Sequence, residues 1–168
     1  IEDLALGCAM PEGSQGLNVA RSIGFLAGLS HSVPAYTVNR FCASGLQTVA
    51  SISARIAVGE MDRAIAGGVE SMSAVPMSGF HPQLHPRLAV DYPEAYIGMG
   101  NTAENVANRF EVSRQEQDAF AANSQAKALA ARDSGRLSEE IVSIATDVDG
   151  NAITLMHDEL IRPGTTVE

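Results

Sequence analysis

Lysine is almost missing from this sequence: Lys127 stands alone, and with the arginines it makes 11 basic residues against 20 acidic ones, a net charge of −9. A chain so poor in cations offers no basic face to a phosphate backbone, which argues against nucleic-acid binding. An anionic small molecule stays open, because a few arginines or a helix N-terminus suffice to hold one. Tryptophan is absent. No stretch approaches the roughly 20 uninterrupted apolar residues of a membrane span, and no basic region leads into an apolar one at the N-terminus, so neither a membrane anchor nor a signal peptide is expected. Two cysteines, Cys8 and Cys42, are too few for a disulfide scaffold and lack metal-ligand spacing. That usage points to a reducing compartment and to no bound metal.

What the chain does have is a core. Its 168 residues are 45% hydrophobic and 18% charged, in the range of a globular domain. It opens on Ile1 rather than Met, so a further segment is expected before it. Leu4 to Met10 reads as a buried strand, broken by Pro11, Gly13 and Gly16. A short helix is expected from about Leu17, with Val19, Ile23, Leu26 and Ala27 on its inner side and Gly28 as its stop. Ala35 to Val38 reads as a second strand. Ala43 to Val58 reads as a helix whose apolar or small face is Leu46, Val49, Ala50, Ser53, Ile56 and Ala57. Arg63 to Ala66 is a third strand, closing on Gly67-Gly68. The order β-α-β-α-β with short links predicts an α/β fold with a largely parallel sheet covered by helices.

Between Ser73 and Gly100 the composition shifts: four of the seven prolines fall there, which marks an excursion or a domain boundary. Asn101 to Glu104 and Ser113 to Glu116 both have the form of capping boxes. The second should start a long helix running to about Ser134, with Ala119, Ala122, Ala126, Leu129 and Ala130 as a small-residue packing face. Ile141 to Thr146 and Ala152 to Met156 flank Asp149-Gly150, a hairpin signal.

Chemistry concentrates at Cys42, in Asn39-Arg40-Phe41-Cys42-Ala43-Ser44-Gly45-Leu46, where a strand ends and a helix begins. The first turn of a helix presents unpaired N–H groups and the positive end of the dipole, which favours a thiolate and can hold an oxyanion. Small neighbours let a substrate approach. The plainer alternative is a small buried hydrophobe, the usual role of a free cysteine and the expected one for Cys8. His31, His81, His85 and His157 have no context that singles one out as a base, and Pro82 and Pro86 argue against a helix presenting His81 and His85 to a metal. The acidic residues around Asp149 miss the spacing of a calcium loop and read as a solvated turn. Gly67-Gly68 with Glu70 lacks a phosphate-loop lysine and suits a close backbone approach.

Taken together, these segments resemble the thiolase family. Asn39 to Gln47 is similar to its acyl-enzyme signature, and Ala66-Gly67-Gly68-Val69-Glu70-Ser71-Met72-Ser73 to its second signature. Further matches follow in order: Met99 to Ala107, Ser113 to Ala121, then Asp158-Glu159 with Arg162 and Thr165-Thr166. The resemblance implies a thiolase N-terminal half, with residues 1–73 in the nucleophile-bearing core and 74–168 in an inserted loop domain. It implies transfer of an acyl group between Cys42 and coenzyme A: thiolysis of a 3-ketoacyl-CoA in fatty-acid β-oxidation, or the reverse Claisen condensation. Cys42 would be the nucleophile, with its backbone N–H in the oxyanion site, and Met99 would line the acyl or pantetheine pocket or else serve as a core methionine.

His85-Pro86-Arg87-Leu88, Pro93-Glu94, Tyr96 and Gly98 resemble degradative 3-ketoacyl-CoA thiolases more than biosynthetic acetoacetyl-CoA thiolases, which remain the alternative. A decarboxylating ketoacyl synthase and a non-catalytic acyl-binding or interaction protein of the same fold are the other readings. The family also uses a Gly-His-Pro histidine, an oxyanion asparagine and a second cysteine in Cys-x-Gly-Gly-Gly. None is matched here, so the chain is expected to be a piece without turnover of its own. The resemblance further implies coenzyme A as co-substrate with no permanent cofactor, acyl-CoA thioesters as partners, and a homodimer or homotetramer that can join a β-oxidation complex. A bacterial-type cytoplasmic location is implied, or a mitochondrial or peroxisomal one in a eukaryote.

Overall fold

The computed structural model describes residues 1–167, which pack as two compact units, Ile1–Pro86 and the part from Arg87 onward. The division falls after Pro86, further along the chain than the composition shift at Ser73.

In the first unit, β1 (Asp3–Gly7), β2 (Ala35–Val38) and β3 (Ala64–Gly68) form a parallel sheet in the order β2-β1-β3. Leu4 pairs with Ala35 and Ile65, and Gly7 with Val38 and Gly68. Side chains alternate across a strand, so β1 sorts its residues between two layers. Leu4 and Leu6 meet Ala20, with Ile23 and Leu29 beside them, on the side of helix α1 (Val19–Leu26). Ala5 meets Ile52 and Met61, with Ala64 and Ala66 beside them, on the side of helix α2 (Ser44–Ala57). The expected parallel α/β arrangement is present, with one helix on each face.

β1 ends at Gly7, short of the expected Met10, because the Ala9 and Met10 N–H groups turn to the Glu70 carboxylate instead of a neighbouring strand. α1 starts after Asn18, whose side chain caps the Arg21 N–H. Its inner residues are Val19, Ala20 and Gly24; Leu26, expected inside, is exposed. Gly28 stops it with φ 77°.

α2 departs further from its pattern. The expected face is turned outward: Leu46, Val49 and Ile56 are exposed, while Ser44, Thr48 and Ile52 are buried. At the first turn Gly7 lets the helix backbone come down onto the sheet, so the small Ser44 faces inward there, while further along the helix stands high enough for Ile52 to pack on Ala5 and Met61. Thr48 resolves its burial by placing Oγ1 2.7 Å from the Gly45 carbonyl and 2.9 Å from that of Gly67.

The second unit contains helices α4 (Met99–Phe110) and α5 (Arg114–Asp133) and a hairpin of β4 (Ile144–Val148) and β5 (Asn151–Leu155); a short helix α3 (Pro86–Asp91) stands at the division. Asn101 is not a cap: α4 begins two residues earlier, with Gly98 in the cap position and the Thr102 hydroxyl donating to the Gly98 carbonyl. The Ser113 capping box is complete in both directions. α5 buries no residue, and Ala119, Ala126 and Ala130 of its expected packing face are exposed. The hairpin turns on Asp149 (φ 53°) and Gly150 (φ 81°), the pair of left-handed residues that a two-residue turn requires. Among the described residues no helix is long and apolar enough to cross a membrane.

Candidate active site

The parallel strands of the first unit deliver Gly7, Val38 and Gly68 to the same edge of the sheet, and the first turn of α2 is laid against it. Glycine makes this possible. A Cβ on Gly7 would stand 2.3 Å from the Ser44 carbonyl carbon, and one on Gly68 would stand 3.5 Å from the Gly45 Cα. The close backbone approach therefore falls on Gly7 rather than on the Gly67-Gly68 pair expected to provide it: a Cβ on Gly68 would make an ordinary contact, and one on Gly67 would meet the Leu6 side chain at 3.3 Å.

Cys42 lies in the turn that joins β2 to α2, and its side chain is exposed. Phe41 before it has φ 46°, a left-handed conformation that costs a non-glycine residue roughly 1–3 kcal/mol unless its surroundings impose it. Here they do. The Phe41 N–H donates to Asn39 Oδ1 (2.8 Å), the Arg40 N–H donates to Ser44 Oγ (2.9 Å), and that hydroxyl donates to the Phe41 carbonyl (2.5 Å). Ala43 and Ser44 N–H groups close on the Arg40 and Phe41 carbonyls. Among the described residues, these backbone bonds leave the Cys42 N–H uncommitted at the helix entrance. An exposed sulfur beside a free N–H at a helix N-terminus is an arrangement that can attack a carbonyl and hold the oxygen that becomes charged.

Cys8 is the opposite case. It is fully buried behind the strand end, and burial, helped by the neighbouring Glu70 carboxylate, pushes its thiol above the ordinary range. Glu70 gathers the loop around it: Oε2 accepts from the Ala9 N–H (2.6 Å), and Oε1 from the Met10 N–H (3.2 Å) and the Gln15 side chain (2.6 Å). Gln15, itself buried, accepts the Ser71 N–H in return (2.7 Å).

Met99 belongs to the second unit, in the first turn of α4, where it is exposed and lines an open apolar groove of about 380 Å³ with Val106, Ala107 and Val112. Cys42 and Met99 therefore sit in separate units. The roles of Asn39, Ser44 and Gln15 were not legible in advance. Each rests on a partner chosen by the fold, and only the Asn two residues before a strained Phe carried a local signal. The His31 ring lies tilted at 46° to the Phe25 ring, centroids 5.2 Å apart, and both residues are exposed. Among the described residues no group of three or more His, Cys, Asp or Glu side chains is gathered where it could hold a metal ion.

Comparison with known proteins extends this local picture along the chain. Residues 1–168 match the family described as Thiolase, N-terminal domain. The chain is 47% identical to a 3-ketoacyl-CoA thiolase of Bacillus subtilis and 43% identical to one of Pseudoalteromonas translucida, matching along all of its own length and along 45% and 43% of theirs. The crystal structure of the Bacillus anthracis acetyl-CoA acetyltransferase superposes with a TM-score of 0.83 at 31% identity, over 99% of this chain and 45% of that one. The chain thus spans less than half the length of these relatives.

Proposed function

Because the chain belongs to the thiolase family through that N-terminal domain, we propose that it carries the acyl-accepting nucleophile of a 3-ketoacyl-CoA thiolase, and that this nucleophile is Cys42. In the forward direction the Cys42 thiolate adds to the 3-keto carbon. The C2–C3 bond then breaks, C2 leaves as the enolate of acetyl-CoA and takes up a proton, and the acyl group stays on sulfur as a thioester. The thiolate of a second coenzyme A attacks that thioester, and Cys42 departs as thiolate, which closes a two-stage covalent cycle. The Cys42 N–H, with the positive end of α2 behind it, suits the oxygen that gains charge in both stages.

The observation that carries the reading is the exposed Cys42 at the entrance of α2, held in a strained turn over glycines. Met99 and the apolar groove beside it are assigned to the acyl or pantetheine arm. Residues 1–73 are read as the nucleophile-bearing core and 74–168 as the loop domain. The activating base and second cysteine lie outside these residues, so the 168-residue chain by itself has no turnover. The names of the relatives at 43–47% identity favour a degradative 3-ketoacyl-CoA substrate in β-oxidation. The likeness to an acetyl-CoA acetyltransferase favours the second reading, a biosynthetic enzyme joining two acetyl groups. In either case coenzyme A is a co-substrate, the working form is a homodimer or homotetramer, and the location is cytoplasmic in a bacterium.

The test uses the full-length protein that carries this chain. With a 3-ketoacyl-CoA and coenzyme A it should release acetyl-CoA, and quenching during turnover should leave an acyl adduct on the peptide that holds Cys42. Cys42→Ser should lower kcat by about 10³-fold or more and remove the adduct. An adduct on another residue would overturn the assignment. Rates compared between acetoacetyl-CoA and longer substrates separate the biosynthetic from the degradative reading.

A further inference from the structure

Three strand exits meet around Cys42, and a single line of hydrogen bonds ties them together. It begins after β3, where Glu70 Oε2 accepts the Ala9 N–H at 2.6 Å. It crosses the exit of β1 through the Ala9 peptide, whose carbonyl accepts from Asn39 Nδ2 at 2.9 Å. It ends after β2, where Asn39 Oδ1 accepts the Phe41 N–H at 2.8 Å, one residue before the sulfur. We propose that Asn39 and Glu70 are positioning residues, which fix the Phe41–Cys42 turn against the end of β1 so that the sulfur and its N–H face one substrate carbonyl together. This rests on the reading of Cys42 as nucleophile.

The chemistry of the two side chains fits this role closely. A primary amide offers an acceptor to one peptide and a donor to another from the same planar group, and Asn39 uses both ends. The left-handed Phe41 has no glycine to make it cheap, so its conformation depends on such partners. The Glu70 side chain acts only as an acceptor here: Ala9, Met10 and Gln15 donate N–H groups to it, and the Cys8 thiol donates at 3.8 Å. An amide there would set its own NH₂ against one of them. Gln15, gripping Ser71 from the other side, keeps the Glu70 segment from swinging away.

A positioning role and a merely structural one separate in their readouts. A small alkylating reagent needs an exposed thiolate but no oxyanion donor, whereas acyl transfer needs the sulfur and the oxyanion donor aligned on one carbon. Displacement of such a group by about 1 Å costs on the order of 10²-fold in rate. In the full-length protein, Asn39→Asp keeps the acceptor for Phe41 but loses the donor to Ala9, and Glu70→Gln loses one acceptor. Both should lower kcat about 10- to 100-fold with KM within about twofold, while iodoacetamide alkylates Cys42 within about threefold of the parent rate. Cys42→Ala, assayed alongside, tests the underlying reading by itself: if it still cleaves 3-ketoacyl-CoA, the nucleophile assignment fails and this proposal with it. If Cys42→Ala is inactive and both variants keep kcat within about threefold, the positioning role is overturned while the nucleophile stands. Parallel loss of kcat, alkylation rate and thermal midpoint would also overturn it, since that marks a fold defect.

Discussion

Gly7 makes the tightest backbone contact in the first unit, and its cost on substitution can be set against a glycine that touches nothing. A methyl group on Gly7 would penetrate the main chain at Ser44 and Gly45, atoms that cannot swing aside. Gly7→Ala should therefore push α2 off the sheet and destabilise by about 3 kcal/mol, the upper end for overpacking. Gly28→Ala meets no atom within 4 Å and carries only the strain of φ 77°, about 1 kcal/mol. Urea unfolding of the two variants should give midpoints in that order, and equal midpoints would remove the close approach from the account. The cysteines offer a second contrast. Cys42 should react with iodoacetamide about 10²-fold faster than Cys8 in the folded chain, because one thiol is exposed and the other fully buried. The buried thiol also predicts a pH dependence. Its folded value is raised, so the folded state holds the proton more tightly, and the stability this gives is complete below the ordinary thiol value of 9.0. It is lost as pH rises through the raised value. The unfolding midpoint should decline above about pH 9 in the parent and more shallowly in Cys8→Ala.

Among the elements, α5 owes its start to one residue pair. Ser113 caps the Glu116 N–H, and the Glu116 carboxylate accepts both the Ser113 N–H and its hydroxyl. Those bonds, the backbone one first, hold Glu116 below the usual carboxylate range. Its contribution is therefore present above the unfolded carboxylate value and is lost as pH falls through the lowered one. Ser113→Ala should cost α5 about 1 kcal/mol at neutral pH. Circular dichroism in acid should show the parent helix fraying toward the variant, and a parent signal independent of pH would contradict the cap. This pair was legible in the sequence because both partners sit within one turn, as were the strand at Ala35–Val38 and the Asp149-Gly150 hairpin. The outward face of α2 was not. Periodicity finds the apolar stripe of a helix, but which stripe turns inward depends on the surface beneath, and here Gly7, far away in sequence, brings the first turn so close that Ser44 faces the sheet, with Thr48 and Ile52 following on the same side. The same division holds at the site: Cys42 at a strand-to-helix junction could be read locally, whereas the Asn39–Ala9 and Ala9–Glu70 bonds join segments far apart in sequence.

At the scale of the molecule, the two units differ in what holds each together. The first has a sheet with buried residues on both faces, and the Ala5 and Thr48 positions are fully sealed. From Arg87 to Val167 no residue is buried, although Val106, Phe110, Val112 and Phe120 are all large and apolar. A 20-residue helix such as α5 gains little from its own hydrogen bonds in water, and most helical stability comes from an apolar face that is covered. The 168-residue chain should therefore lack a single unfolding transition. Amide exchange should show Leu4 to Leu6 opening with the full stability of the first unit, while amides in the middle of α5 open at a cost of about 1–2 kcal/mol. A dye that binds exposed apolar surface should fluoresce with the chain before any denaturant is added. If the α5 amides instead exchanged with the same opening energy as those of β1, the second unit would have a source of cohesion that its exposed side chains do not supply.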